Sequence, residues 1–276
     1  MDFQLSPEQK LIQDSAREFA QNELLPGVIE RDENKTFPKE QIAKMSEMGF
    51  LGMMTDPKYG GGGMDTVSYV LAMEEISKID ASCSVIMSVN NSLVCWGIEK
   101  YGSEAQKEKY LPKLAQGKIL GAFCLSEPEA GSDATSQKTT AIDMGDHYVL
   151  NGTKNWITNG SSASIYLVIA QTDIEKGHKG INAFIVEKNM EGVTIGPKEN
   201  KLGIRSSDTT SIMFSDVKIP KKNRIGDDGF GFKFAMKTLS GGRIGIASQA
   251  LGIASGAYEL SLQYSKERKA FGKEIY

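Results

Sequence analysis

The order of apolar and polar positions divides the chain into three textures. In the first, apolar residues recur at three- and four-residue spacing, and Ile12, Ala16, Phe19 and Ala20 share one helical face. That helix opens on Ser6-Pro7-Glu8-Gln9: an N-cap hydroxyl, a proline at the first helical position and a glutamine placed to close a capping box. Ser103-Glu104-Ala105-Gln106 repeats the device before "KEKYLPKLAQGK". Between them, "TVSYVLAMEEISKI" and "SVIMSVNNSLVCWGIEKYG" are long and mixed enough to be buried helices. Residues 1–119 therefore read as an all-helical N-terminal domain, with "YGGGGMD" at 59–65 as a flexible connector inside it.

After Gly121 the period shortens. The runs "HYVLNG", "IYLVIAQ", "NAFIVE", "GVTIG", "TSIMF" and "VKIP" are separated by turn residues at a spacing that suits an antiparallel β-sandwich or barrel, a middle domain over 120–228. From Phe230 the helical period returns. Ile244, Ala247, Leu251, Ala254 and Tyr258 share a stripe beside the small residues Gly245, Ser248, Gly252 and Ser255, which would allow close helix contact, and the pattern predicts a well-buried helix. Residues 229–276 read as the first part of a C-terminal helical domain, cut short, because one helix cannot cover its own apolar face. The fold class is α+β and multidomain.

Composition narrows the chemistry. Thirty-two basic and thirty-five acidic side chains leave a net charge of −3, so no basic field invites nucleic acid or an anionic membrane. Three scattered cysteines without a CxxC pair, and only two histidines, speak against a metal site, a disulfide framework and a Ser-His-Asp triad; the cysteines read as buried free thiols. The longest apolar stretches, such as "SIYLVIA", fall short of a membrane span, and Met1 leads into an acidic helix start without a signal pattern. A cytoplasmic location follows as the expectation, with a mature mitochondrial matrix protein second.

Two segments of the β region are unusual. "LSEPEAGSDAT" at 125–135 combines the hydroxyls of Ser126 and Ser132 with backbone N–H groups near Ala130, Gly131 and Ser132, a nest for an oxyanion or a polar heterocycle edge. It carries Glu127, Glu129 and Asp133 and no lysine or arginine, so it is neither a Walker A loop nor a Rossmann fingerprint. "GDDGFG" at 226–231 reads as a loop before a helix. In "NGTKNWITNG" at 151–160, alternation puts Trp156 and Thr158 on one face between two Asn-Gly turns; a hairpin with a core tryptophan is the competing reading.

"FCLSEPEAGSDAT", "NGTKNWITNG", "LGIRSSDTTSIMFSDVKIP", "LSGGRIGIASQALG" and "YSKERKAFGK" resemble, in the same order, motifs of the acyl-CoA dehydrogenase family, with the strongest likeness to its short-chain, butyryl-CoA-dehydrogenase-like members. The resemblance covers the whole chain and implies the family's fold: a helical domain, a β domain and a C-terminal helical bundle. It also implies FAD as cofactor, with Phe123, Leu125, Ser126, Gly131, Ser132, Trp156, Ile157 and Thr158 lining it, and Arg268 reaching the FAD of a neighbouring subunit. Ser126 would meet the pyrimidine edge, Gly131 and Ser132 the pyrophosphate, and Thr158 the region of flavin N5. Ser132, Ser240, Gly241, Gly242 and Arg243 would contact the acyl-CoA substrate.

The reaction implied is α,β-dehydrogenation of an acyl-CoA thioester, with electrons passed to an electron-transfer flavoprotein by a homodimer or homotetramer. The sequence departs from the family in its catalytic base. That base is a glutamate near the C-terminus, beyond these residues, or in some members a residue just before the arginine matched by Arg243; here that position is Gly242. No catalytic residue is therefore assigned, and this polypeptide is expected to be inactive with weakened FAD binding. Glu127 and Asp133 are expected to fix their loop through backbone N–H groups, and Glu267 to be a solvated helix residue. A non-catalytic flavin- or CoA-binding module, a fragment of an acyl-CoA oxidase and a ligand-free assembly subunit remain as alternatives.

Overall fold

Both capping boxes form, and they fix where the first and last helices of the N-terminal layer begin. The computed structural model describes residues 4–276. Ser6 and Gln9 close one box at the start of α1 (Pro7–Phe19), and Ser103 with Gln106 closes the other at α7 (Glu104–Ala115). Between them lie α2 (Val28–Glu33), α3 (Lys39–Glu47) and α4 (Thr66–Ile79). A continuous helix follows, made of α5 (Ala81–Ser88), a π-type stretch (Val89–Cys95) and α6 (Trp96–Tyr101). At 21 residues that helix is long and apolar enough to cross a membrane, contrary to the expectation from sequence, but 78% of its apolar window is buried inside the protein. It is the central core helix of this layer.

The glycine run at 59–65 is not a flexible connector. Gly61, Gly62 and Gly63 donate to Asp56 O, Gly52 O and Thr55 O, and a Cβ on Gly61 would lie 2.2 Å from Thr55 O. Glycine is needed there because two backbone segments touch.

The β region is one eight-stranded sheet: β1 (Gly121–Cys124), β2 (Thr140–Asp143), β3 (His147–Thr158), β4 (Ile165–Gln171), β5 (Ile181–Glu187), β6 (Val193–Lys198), β7 (Thr209–Pro220) and β8 (Arg224–Ile225). Its order is β6-β7-β3-β2-β4-β5-β8, with β1 beside β4. Most pairs are antiparallel as expected, but β1 and β2 both run parallel to β4. "TSIMF" and "VKIP" are one strand, β7, rather than two.

Strand alternation sorts the sheet's side chains into two cores. Tyr166, Val168, Phe184 and Val186 face inward onto Tyr148, Leu150, Ile157 and Ile212 of β3 and β7. Ile165, Leu167, Ala183 and Ile185 face the other way, onto Val94, Ile98, Leu111 and Phe234 of the helical layer.

A single 37-residue helix, α8 (Gly231–Glu267), ties the layers together. A loop with Gly226 and Gly229 at positive φ delivers it, and Gly231 is so close to β5 that a Cβ would lie 2.2 Å from the Asn182 carbonyl carbon. Farther along, Gly245, Gly252 and Gly256 press on α4: a Cβ at Gly252 would lie 2.4 Å from Glu74 O. The apolar stripe predicted to be buried is instead exposed at Ile244, Leu251 and Tyr258, at 46%, 55% and 67%. The small residues are the packing face, because only they let two helix backbones approach this closely. The chain ends in a small hairpin, β9 (Lys269–Ala270) with β10 (Lys273–Glu274). All three cysteines are buried and free.

Candidate functional site

The 125–133 loop and the end of β3 are stitched into one wall. Asn155 N donates to Ser126 O at 2.9 Å, and Lys154 Nζ donates to Leu125 O at 3.0 Å, to Glu127 Oε1 at 2.7 Å and to Gln137 Oε1 at 3.2 Å. Lys154 has no exposed surface, and Glu127 is 2% exposed. Glu127 also accepts from the backbone N–H groups of Lys138 and Thr139. Burial by itself would raise the Glu127 pKa, but the Lys154 ammonium and these donors outweigh it and hold the carboxyl below its ordinary range. Glu127 thus fixes the loop as expected.

The loop's missing cation is present after all, supplied from below by Lys154 rather than from within the loop. Sequence carried a signal for it. A lysine at an inward position of an alternating strand, between Leu150 and Ile157, requires a buried acidic partner. Asp133 holds its loop as expected through the backbone N–H groups of Thr135 and Ser136, but accepts more strongly from the hydroxyls of Ser136 and Thr135, which chiefly hold its pKa down.

Trp156 is no core tryptophan. It is 58% exposed and sits at φ 56°, a left-handed conformation that a bulky side chain seldom adopts. The cause is a β-bulge: Lys154 pairs with Ile212 and Ile157 with Thr210, so three steps on β3 oppose two on β7. The bulge keeps both Lys154 and Ile157 pointing inward while turning Trp156 out. Backbone strain of this kind costs of order 1–3 kcal/mol and concentrates at functional positions. Ile157 is 2% exposed in the sheet core, so its side chain lines no ligand, and only its backbone can. The Asn151-Gly152 pair is no turn either; it lies within β3, whereas Asn159 at φ 63° does turn the chain.

Phe123 and Leu125 alternate with buried Ala122 and Cys124, and so face the helical layer, where the Phe123 ring centroid is 6.3 Å from that of Phe234 on α8. Ser126 and Thr158 are half-buried, and Gly131 and Ser132 are exposed. Among the described residues the hydroxyls of Ser126, Ser132 and Thr158 have no hydrogen-bond partner.

A second feature opens farther along α8. A groove of about 500 Å³ is lined by Ser88, Val89, Ser92 and Leu93 on one side and Leu239, Gly242, Arg243, Ile246, Ala247 and Ala250 on the other. No carboxylate or histidine lines it. A Cβ on buried Gly242 would lie 2.7 Å from Leu93 Cδ2. Gly241 is half-buried beside it, Arg243 is exposed, and Ser240 spends its hydroxyl on Met236 O at 3.0 Å. Arg268 is exposed at the end of α8, far along the chain from the wall. Glu267 is exposed and accepts from Gln263, a solvated helix residue as expected. Among the described residues no group of three metal-ligating side chains forms.

Three consecutive family models match: the acyl-CoA dehydrogenase N-terminal domain over residues 6–118, its middle domain over 122–217 and its C-terminal domain over 229–276. The chain belongs to the acyl-CoA dehydrogenase family. It is 50% identical over 275 residues to the short-chain specific acyl-CoA dehydrogenase of Clostridium acetobutylicum, covering 100% of this chain and 73% of that one. Butyryl-CoA dehydrogenase from Megasphaera elsdenii superimposes with a TM-score of 0.96 at 47% identity, over 100% of this chain and 73% of that one. A chain in a structure of the electron transferring flavoprotein of Acidaminococcus fermentans gives 0.98 at 49% identity, over 100% and 72%.

Members of this family are FAD-dependent oxidoreductases. The residues present fit that cofactor. The wall offers an exposed aromatic plate, two aromatic or aliphatic side chains turned toward the helical layer, three hydroxyls with no partner among the described residues, and the exposed Gly131-Ser132 backbone.

Proposed function

We propose that residues 1–276 form the cofactor- and substrate-binding part of an enzyme that oxidises short-chain acyl-CoA thioesters to trans-2-enoyl-CoA. It would pass the electrons to an electron-transfer flavoprotein and work as a homodimer or homotetramer. In this reading the three units run 1–119, 120–228 and 229–276. The observation that carries it is the bulge at Trp156, locked to the Ser126 loop through Asn155 and Lys154. A strained, outward tryptophan beside unpaired hydroxyls has no role in packing and fits a flat, polar-edged ring.

When bound, FAD supplies the electron-accepting chemistry. The protein's own groups bind and orient. Ser126 addresses the pyrimidine edge, the Gly131 and Ser132 backbone addresses the pyrophosphate, and Trp156 lies beside the ring with the Thr158 hydroxyl next to it. Phe123 and Leu125 form the apolar floor, Ile157 contributes backbone only, and Arg268 meets the cofactor of a neighbouring subunit. The groove at Gly242 takes the acyl chain, and its walls of Leu93, Leu239 and Ile246 exclude water from it. Ser132, Ser240, Gly241 and Arg243 flank the CoA.

No carboxylate lines that groove, so the base that removes the α-proton is not supplied by it. A positioned general base contributes typically about 10²–10⁴-fold. A polypeptide of residues 1–276 is therefore expected to bind ligands and to turn them over very slowly. FAD titration followed by flavin fluorescence tests the binding half of this reading. Saturable binding that Ser126→Ala weakens by about tenfold supports it, since a hydrogen bond of this kind is worth roughly 1 kcal/mol or more; binding unaffected by Ser126→Ala and Trp156→Gly together contradicts it.

A further inference from the structure

Thr158 has a cross-strand partner that reaches a lysine. In the β3–β7 register Thr158 stands opposite Thr209, and both are half-buried. Side chains of such pairs share one face of the sheet, with Cβ atoms about 4.5–5.5 Å apart. Lys201, half-buried in the segment that leads into β7, donates from Nζ to Thr209 Oγ1 at 3.0 Å and to Ser207 O at 2.6 Å.

The bond to Ser207 O ties the segment to the chain entering β7. The bond to Thr209 does something else: it brings a cation to the Thr158 face. A hydroxyl that accepts from an ammonium keeps its own proton to donate, and the charged donor polarises that proton. Asp208 and Asp32 attract the ammonium from a distance, but neither is hydrogen-bonded to it. Asp208 accepts from Ser161 N at 2.9 Å and Ser162 N at 2.7 Å, and Asp32 accepts from Arg205 Nε at 2.7 Å.

We infer that Lys201 is a positioning residue for the cofactor: through the Thr209 hydroxyl it sets a polarised proton donor and a positive charge beside Thr158, favouring the reduced flavin, the form with more negative charge. This rests on the assignment of Thr158 to the flavin edge made above.

The test is the midpoint potential of FAD bound to the full chain, compared among wild type, Lys201→Met, Lys201→Arg and Thr209→Val. Lys201→Met and Thr209→Val are expected to shift the reduced-to-oxidised ratio about tenfold toward oxidised, a fall of about 30 mV for a two-electron couple. Lys201→Arg, which keeps the charge, stays near wild type. If the potential is unchanged in both variants while melting temperature or FAD affinity falls, Lys201 is only a structural tie and the inference is overturned. If Lys201→Met does not retain FAD, Thr209→Val, which removes one hydroxyl without changing shape, decides alone. Wild-type protein that binds no FAD would overturn the parent assignment, and this inference with it.

Discussion

At the scale of single residues the account turns on Lys154 and Trp156. Lys154→Met leaves Glu127 as a buried carboxylate without its partner, and breaking a buried pair from one side costs about 3–5 kcal/mol. Urea denaturation should register that loss, and Lys154→Met combined with Glu127→Leu should recover much of it, because no uncompensated charge is left. The same pair sets an acid limit. The Glu127 pKa is lower in the folded protein than its ordinary 4.5, so its contribution is complete above that value and is lost as pH falls through the folded one. Stability followed from pH 6 downward should therefore drop in Glu127-containing protein below about pH 4.5 more steeply than in the double variant.

Trp156→Gly separates strain from binding. Glycine accepts φ 56° without penalty, so stability is expected to hold or rise by up to about 1 kcal/mol, while FAD affinity falls by roughly 5- to 150-fold if ring stacking is worth about 1–3 kcal/mol. A matched loss of stability and affinity would place Trp156 in the packing instead.

Among elements, α8 shows what sequence can and cannot reveal. Its start was legible from periodicity and from the "GDDGFG" loop, and Gly245 and Gly252 marked a close helix contact that forms, but the exposure of its apolar stripe was not legible. The apolar stripe at Ile244, Leu251 and Tyr258 was expected to be buried along with the small residues, whereas it is exposed and the glycines at 245, 252 and 256 make the close contact. Hydrophobic pattern reports which side chains favour burial; close backbone approach is decided by the absence of a side chain, which pattern does not weigh. Gly252→Val should therefore separate α8 from α4 and destabilise the protein by about 1–3 kcal/mol, whereas Leu251→Ser should cost well under 1 kcal/mol; thermal melts of the two variants distinguish them.

The β3 bulge was hidden for a similar reason. Alternation put Trp156 and Thr158 on one face without saying which way that face looks, and the extra residue that keeps Lys154 and Ile157 both inward appears only once β7 is paired. The two helices with capping boxes were legible because those boxes are local, whereas α2 and α3 lack a side-chain cap and the parallel neighbours of β4 are distant in sequence, and neither left a local trace.

For the whole molecule, the two features proposed to bind ligands meet along one helix: the wall of the β region touches the start of α8 through Phe123 and Phe234, and the apolar groove follows some two turns later at Gly242. In the proposed reading that arrangement would orient a thioester against the cofactor, and the groove itself offers no acid-base group. Gly242 is the natural place to add one, because a Cβ there comes closest to the movable end of Leu93, at 2.7 Å from its Cδ2. Anaerobic titration of the FAD-loaded 1–276 polypeptide with butyryl-CoA, followed by flavin absorbance, tests this most directly. The account predicts that the flavin spectrum shifts as ligand binds but bleaches slowly or not at all, and that Gly242→Glu accelerates the bleaching. Rapid bleaching by the unaltered polypeptide would contradict it.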